Sequence, residues 1–212
     1  MQMIMHGVRE LHLALRPALF LLLVVFDFHG SRQAIFAQNS RIEQGKITSN
    51  GLTNNLYGDP ATRSFSIYLP HSYDDGSERR YPVAYVLHGY GGSPADMVSV
   101  IRSTLDSLTR ARAVPELIMV FVDGGNRLGG SFYLNSPVIG DYETYIAKDL
   151  VSYIDSHYRT FAKRESRGIT GYSMGGWGAM HLSLKFPETF SVVVSEAGVY
   201  DGTGKLMDGL SR

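Results

Sequence analysis

The sequence predicts an α/β domain with a mostly parallel central sheet flanked by helices. Beyond residue 37, strand-like and helix-like segments alternate, which is the order that an open α/β sheet requires. Several strand-like runs are continuously apolar, as strands covered on both faces must be. With 212 residues and 44% apolar content, the chain can bury one substantial core, so we expect a single domain.

The first 37 residues differ from the rest of the chain. Arg9, His12 and Arg16 precede the apolar run 17–26. This run is shorter than the roughly 20 residues that span a bilayer. The segment 35–37 matches the small-residue cleavage pattern of exported proteins. We predict a signal peptide over 1–37, a secreted or periplasmic protein without a stable membrane span, and the folded domain over 38–212. An uncleaved anchor and a mis-assigned start codon are the alternatives.

Charge and cysteine content exclude several classes of protein. Lys plus Arg and Asp plus Glu number 20 each, so no basic field favours nucleic acid. The absence of cysteine excludes disulfides, thiolate metal sites and a cysteine nucleophile, and is compatible with export. We therefore expect a neutral, small-molecule or carbohydrate partner.

Strands are predicted in two groups. Residues 41–48 and 62–69 alternate apolar and polar side chains, which indicates antiparallel edge strands with one face towards water. Residues 82–88, 117–122 and 190–194 are more continuously apolar and should form the parallel centre.

Three helices are predicted between these strands. Ser93 precedes Pro94, an N-cap followed by a favoured first helical residue, and this helix should run to about Arg112. A second helix begins near Asp141, and a third begins just after Ser173 and ends near Phe186, before Pro187. The apolar face of the second helix is predicted to comprise Ile146, Leu150, Tyr153, Ile154 and His157.

The motif GYSMG at residues 171–175 passes from a strand-like run directly into a helix. A serine at such a turn adopts a strained backbone, and Gly171 and Gly175 are needed because side chains there would collide with neighbouring elements. The helix N-terminus supplies N–H groups that favour an oxyanion. A glycine-rich turn with a capping serine is the alternative. We predict that Ser173 is a nucleophile.

A second glycine-rich turn, HGYGG at residues 88–92, follows an apolar strand. In serine hydrolases with an elbow of this kind, the earlier turn donates the other oxyanion N–H. His88 is predicted to hold this loop and not to act as the general base. The segment 123–126 resembles half of a calcium loop, but the other ligands are absent, so we predict a turn and no metal site.

Taken together, the motif at 87–92, the helix at 142–160 and the elbow at 171–176 resemble the putative-esterase family of α/β-hydrolases. That family includes esterase D, feruloyl and acetylxylan esterases, and the antigen 85 mycolyltransferases. The resemblance covers roughly residues 62–198 and implies an α/β-hydrolase-type fold, Ser173 as nucleophile, and the N–H groups of Tyr90 and Met174 as oxyanion hole. Residues 131–137 lie where the family places a substrate-facing loop, although a plain surface loop is equally compatible.

The acid and base of the catalytic triad are missing from their expected positions. In this fold the order is Ser, acid, His, yet no histidine follows His181, which lies on the helix of the nucleophile and too far along it. Glu196 and Asp201 are candidates for a displaced acid, with loop carboxylates as the default. Because residues 195–212 are too few for further strands and crossover helices, we predict a truncated domain that lacks its C-terminal strands.

We therefore predict a serine carboxylic-ester hydrolase of weak or no activity, without a cofactor. The alternatives are a non-catalytic protein that binds a carbohydrate or acyl ligand, and an acyltransferase of the same family. A last parallel strand left at the edge of the sheet would be apolar and unpaired, so we also predict self-association through that edge.

Overall fold

A computed structural model describes residues 39–198 of the protein. The predicted signal peptide over 1–37 and the candidate acid Asp201 lie outside the described residues. The strands are β1 (Arg41–Thr48), β2 (Thr62–Leu69), β3 (Val83–Leu87), β4 (Ile118–Val122), β5 (Asn135–Ser136), β6 (Gly140–Asp141), β7 (Arg167–Tyr172) and β8 (Val192–Glu196). The α-helices are α1 (Pro94–Arg110), α2 (Tyr142–Thr144), α3 (Val151–His157) and α4 (Met174–Lys185). A π-helical segment (Tyr145–Leu150) joins α2 to α3, and short 3-10 turns lie at Asn50–Leu52 and Arg164–Ser166.

Six of the strands form one mixed sheet in the order β1-β2-β4-β3-β7-β8. β2 pairs antiparallel with β1 and with β4, whereas β3, β4, β7 and β8 run parallel to one another. β5 and β6 form a separate two-stranded pair. The predicted mostly parallel sheet flanked by helices is confirmed.

β2 was predicted to be an edge strand but lies inside the sheet. β2 is not an edge strand, because it lies between β1 and β4, and most of its side chains are buried on both faces. Tyr68, which the alternating pattern would leave towards water, is fully buried against α1, and its hydroxyl donates to Asp106 Oδ1 at 2.9 Å. Of the polar positions on this face of β2, Thr62 and Ser64 are exposed, whereas Ser66 and Tyr68 are buried and hydrogen-bonded.

The last strand begins two residues later than predicted, at Val192. Phe190 belongs to the preceding turn, where its N–H donates to the carbonyl of Phe186 at 3.4 Å. β8 was also expected to be covered on both faces, but Val192 and Val194 are 58% and 50% exposed. Only the opposite side of β8, which carries Val193, packs against a core.

The sheet has two faces with different cover. The α4 face, which carries Tyr85, Val120 and Ile169, packs against α4 and against the helical run from α2 to α3. The α1 face, which carries Val86 and Phe121, packs against α1 alone. Within residues 39–198, no helix is long and apolar enough to cross a membrane.

The first helix begins where its capping residue predicts. Ser93 and Asp96 form a reciprocal capping box at the start of α1, with Pro94 as the first helical residue. In the second helical run, Ile146, Leu150 and Ile154 are fully buried as predicted. His157, the last residue of α3, is exposed instead and stacks on Tyr153 with ring centroids 3.9 Å apart.

Candidate active site

Ser173 occupies the single-residue turn between β7 and α4. Its φ of 55° and ψ of −117° lie in a region that non-glycine residues rarely adopt. Two hydrogen bonds hold this conformation: the Ser173 N–H donates to the Glu196 carbonyl at 2.8 Å, and the Trp177 N–H donates to the Ser173 carbonyl at 3.0 Å. The side chain is thereby presented at the carboxyl end of the parallel strands.

Glycines around the serine allow the backbones to approach closely. A Cβ on Gly175 would lie 2.1 Å from the Leu87 carbonyl oxygen, and one on Gly171 would lie 2.4 Å from the carbonyl group of Gly175. A Cβ on Gly176 would lie 2.5 Å from the Glu196 carbonyl oxygen. The predicted need for glycine at 171 and 175 is confirmed, because α4 begins almost in contact with the end of β3.

Two backbone N–H groups beside Ser173 lack an acceptor among residues 39–198: those of Tyr90 and Met174. The Met174 N–H is in the first turn of α4, where helical N–H groups have no intrahelical partner. Tyr90 lies in the turn after β3, and the preceding Gly89 approaches the serine, since a Cβ there would lie 3.5 Å from Ser173 Cβ. The structure therefore brings all three predicted site residues to one place.

His88 is buried and both of its ring nitrogens are engaged. Nε2 accepts the Gly124 N–H at 3.0 Å, and Nδ1 lies 2.7 Å from the Gly89 carbonyl oxygen. No hydrogen bond joins this ring to Ser173 among the described residues. The prediction that His88 holds the glycine-rich loop is confirmed.

The loop after β4 supports the glycine-rich turn from the other side, and it contains a residue that the sequence analysis did not single out. Tyr133 is fully buried, and its hydroxyl donates to the His88 carbonyl at 2.8 Å. Burial raises the pKa of Tyr133 well above its ordinary value, so the phenol remains a donor. Its ring fills the space beside Gly124 and Gly178, where added Cβ atoms would lie 2.2 and 2.3 Å from it. Those two glycines are the sequence signal for this buried ring.

Residues 131–137 were predicted as a substrate-facing or a surface loop. Ser131 and Tyr133 are buried beneath the site, whereas the ring of Phe132 lies between Tyr90 and Trp177, with centroids 6.2 and 6.5 Å away. The turn predicted after β4 lies just beyond 123–126, at Arg127 and Leu128, where the Gly129 N–H donates to the Asn126 carbonyl at 2.9 Å. No cluster of metal ligands is found among the described residues.

His181 is paired with Glu143, which also contacts Lys185. Its Nε2 lies 2.7 Å from Glu143 Oε1, and its ring stacks on Trp177 with centroids 4.7 Å apart. Lys185 Nζ lies 2.5 Å from the other oxygen of Glu143. Burial alone would raise the pKa of Glu143, but hydrogen bonds from Lys185 and His181 outweigh it and lower the pKa. The group fastens α4 to α2.

Glu196 reaches the nucleophile only through its backbone. Its carbonyl accepts the Ser173 N–H, while its side chain is exposed and lines a cavity on the α1 face. This cavity has a volume of about 650 Å³ and is mainly apolar, with Val86, Ile101 and Tyr172 among its lining residues. Ser173, Tyr90 and Met174 do not line it, so it is not the candidate active site.

Known proteins of similar sequence were compared with this chain. The profile of the family described as Putative esterase matches residues 60–208. An esterase of Mycobacterium tuberculosis is 32% identical over 137 residues, which cover 63% of this chain and 28% of that protein. An endo-1,4-beta-xylanase/feruloyl esterase of Xylanibacter ruminicola is 28% identical over 168 residues, or 74% of this chain and 22% of that protein. The chain thus matches less than a third of the length of these two relatives.

Solved structures give the same fold. A ferulic acid esterase superposes with a TM-score of 0.65 at 26% identity, covering 76% of this chain and 59% of that one. An S-formylglutathione hydrolase of Agrobacterium tumefaciens has a TM-score of 0.57 at 24% identity, covering 74% of this chain and 57% of that one, and supports the fold alone. The elbow, the sheet order and the matched profile lead to one conclusion: the chain belongs to the Putative esterase family and has an α/β-hydrolase fold.

Proposed function

We propose that this chain carries the nucleophile and oxyanion hole of a serine carboxylic-ester hydrolase that acts through an acyl-enzyme on Ser173. One observation carries the proposal: a strained serine lies next to the turn after β3 and at the start of α4, where the N–H groups of Tyr90 and Met174 have no acceptor among the described residues. Backbone strain and unsatisfied donors both cost free energy. Both are expected where a nucleophilic serine lies beside an oxyanion hole.

In the proposed reaction, Ser173 Oγ attacks the carbonyl carbon of the ester and passes its proton to a base. The carbonyl oxygen becomes an oxyanion that accepts hydrogen bonds from the Tyr90 and Met174 N–H groups. Collapse of this intermediate breaks the bond to the alcohol, which leaves with a proton, and the acyl group stays on Ser173. Water then attacks the acyl-enzyme by the same route and releases the acid.

The base is the part of this mechanism that the described residues do not supply. Among residues 39–198, no imidazole is hydrogen-bonded to Ser173, and His88 and His181 are engaged elsewhere. Loss of one triad member costs several orders of magnitude in rate, so we infer a low turnover for this chain alone. Residual reactivity would come from the oxyanion hole.

The proposed substrate is a small acyl or carbohydrate ester that is met outside the cytoplasm, after export directed by residues 1–37. Similar proteins named feruloyl esterase and acetyl esterase support this class. The exposed ring of Tyr90 and the rings of Phe132 and Trp177 form an aromatic row beside Ser173 that could contact a sugar or an acyl chain.

Labelling of the purified chain with a fluorophosphonate probe tests the proposal, because Ser173 Oγ displaces fluoride from the probe. We expect labelling of Ser173, slow release of p-nitrophenol from p-nitrophenyl acetate, and loss of both in Ser173→Ala. An unlabelled but folded chain that binds sugars or lipids would refute the proposal in favour of a binding protein. Acyl transfer to an added alcohol in preference to water would identify an acyltransferase.

A further inference from the structure

The turn after β3 contains a peptide group whose two ends serve different purposes. The Gly89 carbonyl and the Tyr90 N–H belong to the same peptide bond, which is planar and trans. The carbonyl and the N–H therefore point in opposite directions, and whatever fixes one fixes the other. On one side this peptide meets His88, and on the other side its N–H has no acceptor among the described residues.

The hydrogen bonds of His88 determine which ring nitrogen carries the proton. A backbone N–H can only donate, so Nε2, which faces the Gly124 N–H at 3.0 Å, must be the acceptor. The proton of the neutral ring is then on Nδ1, and it is donated to the Gly89 carbonyl at 2.7 Å. The Gly92 N–H donates to the same carbonyl at 3.1 Å.

We propose that His88 is a positioning residue: its Nδ1–H holds the Gly89 carbonyl so that the Tyr90 N–H is aimed at the acyl oxygen of a substrate on Ser173. Gly89 has no side chain to limit rotation of this peptide, so the restraint comes from the two donors to its carbonyl, and the imidazole at 2.7 Å is the closer of them, with the Gly92 N–H at 3.1 Å. A hydrogen bond accepted by the carbonyl also polarises the peptide and strengthens its N–H as a donor. This inference rests on the proposed function of Ser173.

The two nitrogens of His88 have separable roles, and two substitutions distinguish them. In His88→Asn the amide nitrogen can take the place of Nδ1 and still donate to the Gly89 carbonyl, while the acceptor for Gly124 is lost. In His88→Gln the amide oxygen can take the place of Nε2 and accept from Gly124, while the donor to Gly89 is lost. Both variants are polar and lose one hydrogen bond, so each is a matched control for the other.

The rate of Ser173 labelling by the fluorophosphonate probe is the first measurement, with melting temperatures recorded beside it. We expect labelling of His88→Asn within about threefold of the native rate, and labelling of His88→Gln lower by about 100-fold, the effect of losing one oxyanion donor. Equal losses in both variants, or a larger loss in His88→Asn, would show that His88 acts only as a structural support.

Crystal structures of both variants decide the inference independently of reactivity. We expect the Gly89–Tyr90 peptide to keep its orientation in His88→Asn and to rotate or become heterogeneous in His88→Gln. A peptide that is unchanged in His88→Gln would overturn the inference. Absence of labelling in the native chain would instead refute the proposed function, and the orientation of the peptide would still decide the role of His88.

Discussion

The two faces of the central sheet differ in how completely they are covered, and the site depends on the better covered one. On the α4 face, side chains from β2, β3, β4 and β7 are fully buried beneath α4 and the run from α2 to α3. On the α1 face, one helix covers β2, β4 and β3, and the side chains of Val192 and Val194 on β8 are at least half exposed.

This contrast separates the parts of the molecule that position Ser173 from those that do not. α4 and the loop carrying Tyr133 are held against β3 by contacts too close for any side chain at Gly175 or Gly178. The cavity on the α1 face lies between α1 and the strands β3, β4, β7 and β8, and Ser173, Tyr90 and Met174 do not line it. Substitutions on the α4 face should therefore affect both the stability of the protein and the reactivity of Ser173. Substitutions on the exposed part of the α1 face should affect mainly solubility.

The largest effect is expected from Gly175→Ala. Its new Cβ would lie 2.1 Å from the Leu87 carbonyl oxygen, and neither backbone can move without displacing the elbow. We expect a loss of about 3 kcal/mol in the free energy of unfolding, measured by urea denaturation, together with loss of Ser173 labelling. Gly168→Ala is the control on the α1 face of β7, where the nearest atom would be 3.7 Å away. It should change stability by less than about 0.5 kcal/mol, and equal effects of the two substitutions would refute the contrast.

A smaller effect is expected from Glu143→Gln, which breaks the ionic group between α2 and α4. Because the pKa of Glu143 is lowered in the folded state, its carboxylate stabilises the protein above the unfolded-state pKa of about 4.3. This contribution is lost as the pH falls through the lower pKa of the folded state. We expect Glu143→Gln to cost about 1–2 kcal/mol at pH 7, with the difference from the native chain shrinking below about pH 4.

Thermal unfolding followed at several pH values measures this dependence. The control is Glu188→Gln, which replaces an exposed carboxylate just after the end of α4. It should not change the free energy of unfolding at pH 7. If the cost of Glu143→Gln stays constant from pH 7 to about pH 3, the carboxylate charge does not fasten the two helices.

The smallest effect on stability is expected from Val194→Lys on the exposed side of β8. The side chain is 50% exposed, so the free energy of unfolding should change by less than about 0.5 kcal/mol. The native chain is predicted to self-associate through this apolar edge, and the added charge should reduce that association in sedimentation experiments. Val193→Lys, one residue away but facing the α4 core, should instead destabilise by about 2 kcal/mol. A native chain that sediments as a monomer would refute the predicted association.

Much of the fold was predictable because local patterns and tertiary contacts agree. The capping box at Ser93 fixes the start of α1, and Pro187 cannot continue α4, which ends at Lys185. Prediction was wrong for β2, because a pattern of alternation cannot show that Tyr68 and its partner Asp106 are satisfied inside the fold. The π-helical segment was not predicted either, since its register depends on packing against the sheet.

The sequence by itself determined the elbow at Ser173, since two flanking glycines and a strand-to-helix transition leave few other conformations for that serine. It also determined the glycine-rich turn that carries Tyr90. Only the tertiary structure decided how this turn is held, because Gly124 and Tyr133 are 36 and 45 residues away from His88 along the chain. Hydrogen bonds between residues so distant have no local signature, and they form only when the sheet has brought the loops after β3 and β4 to the same edge.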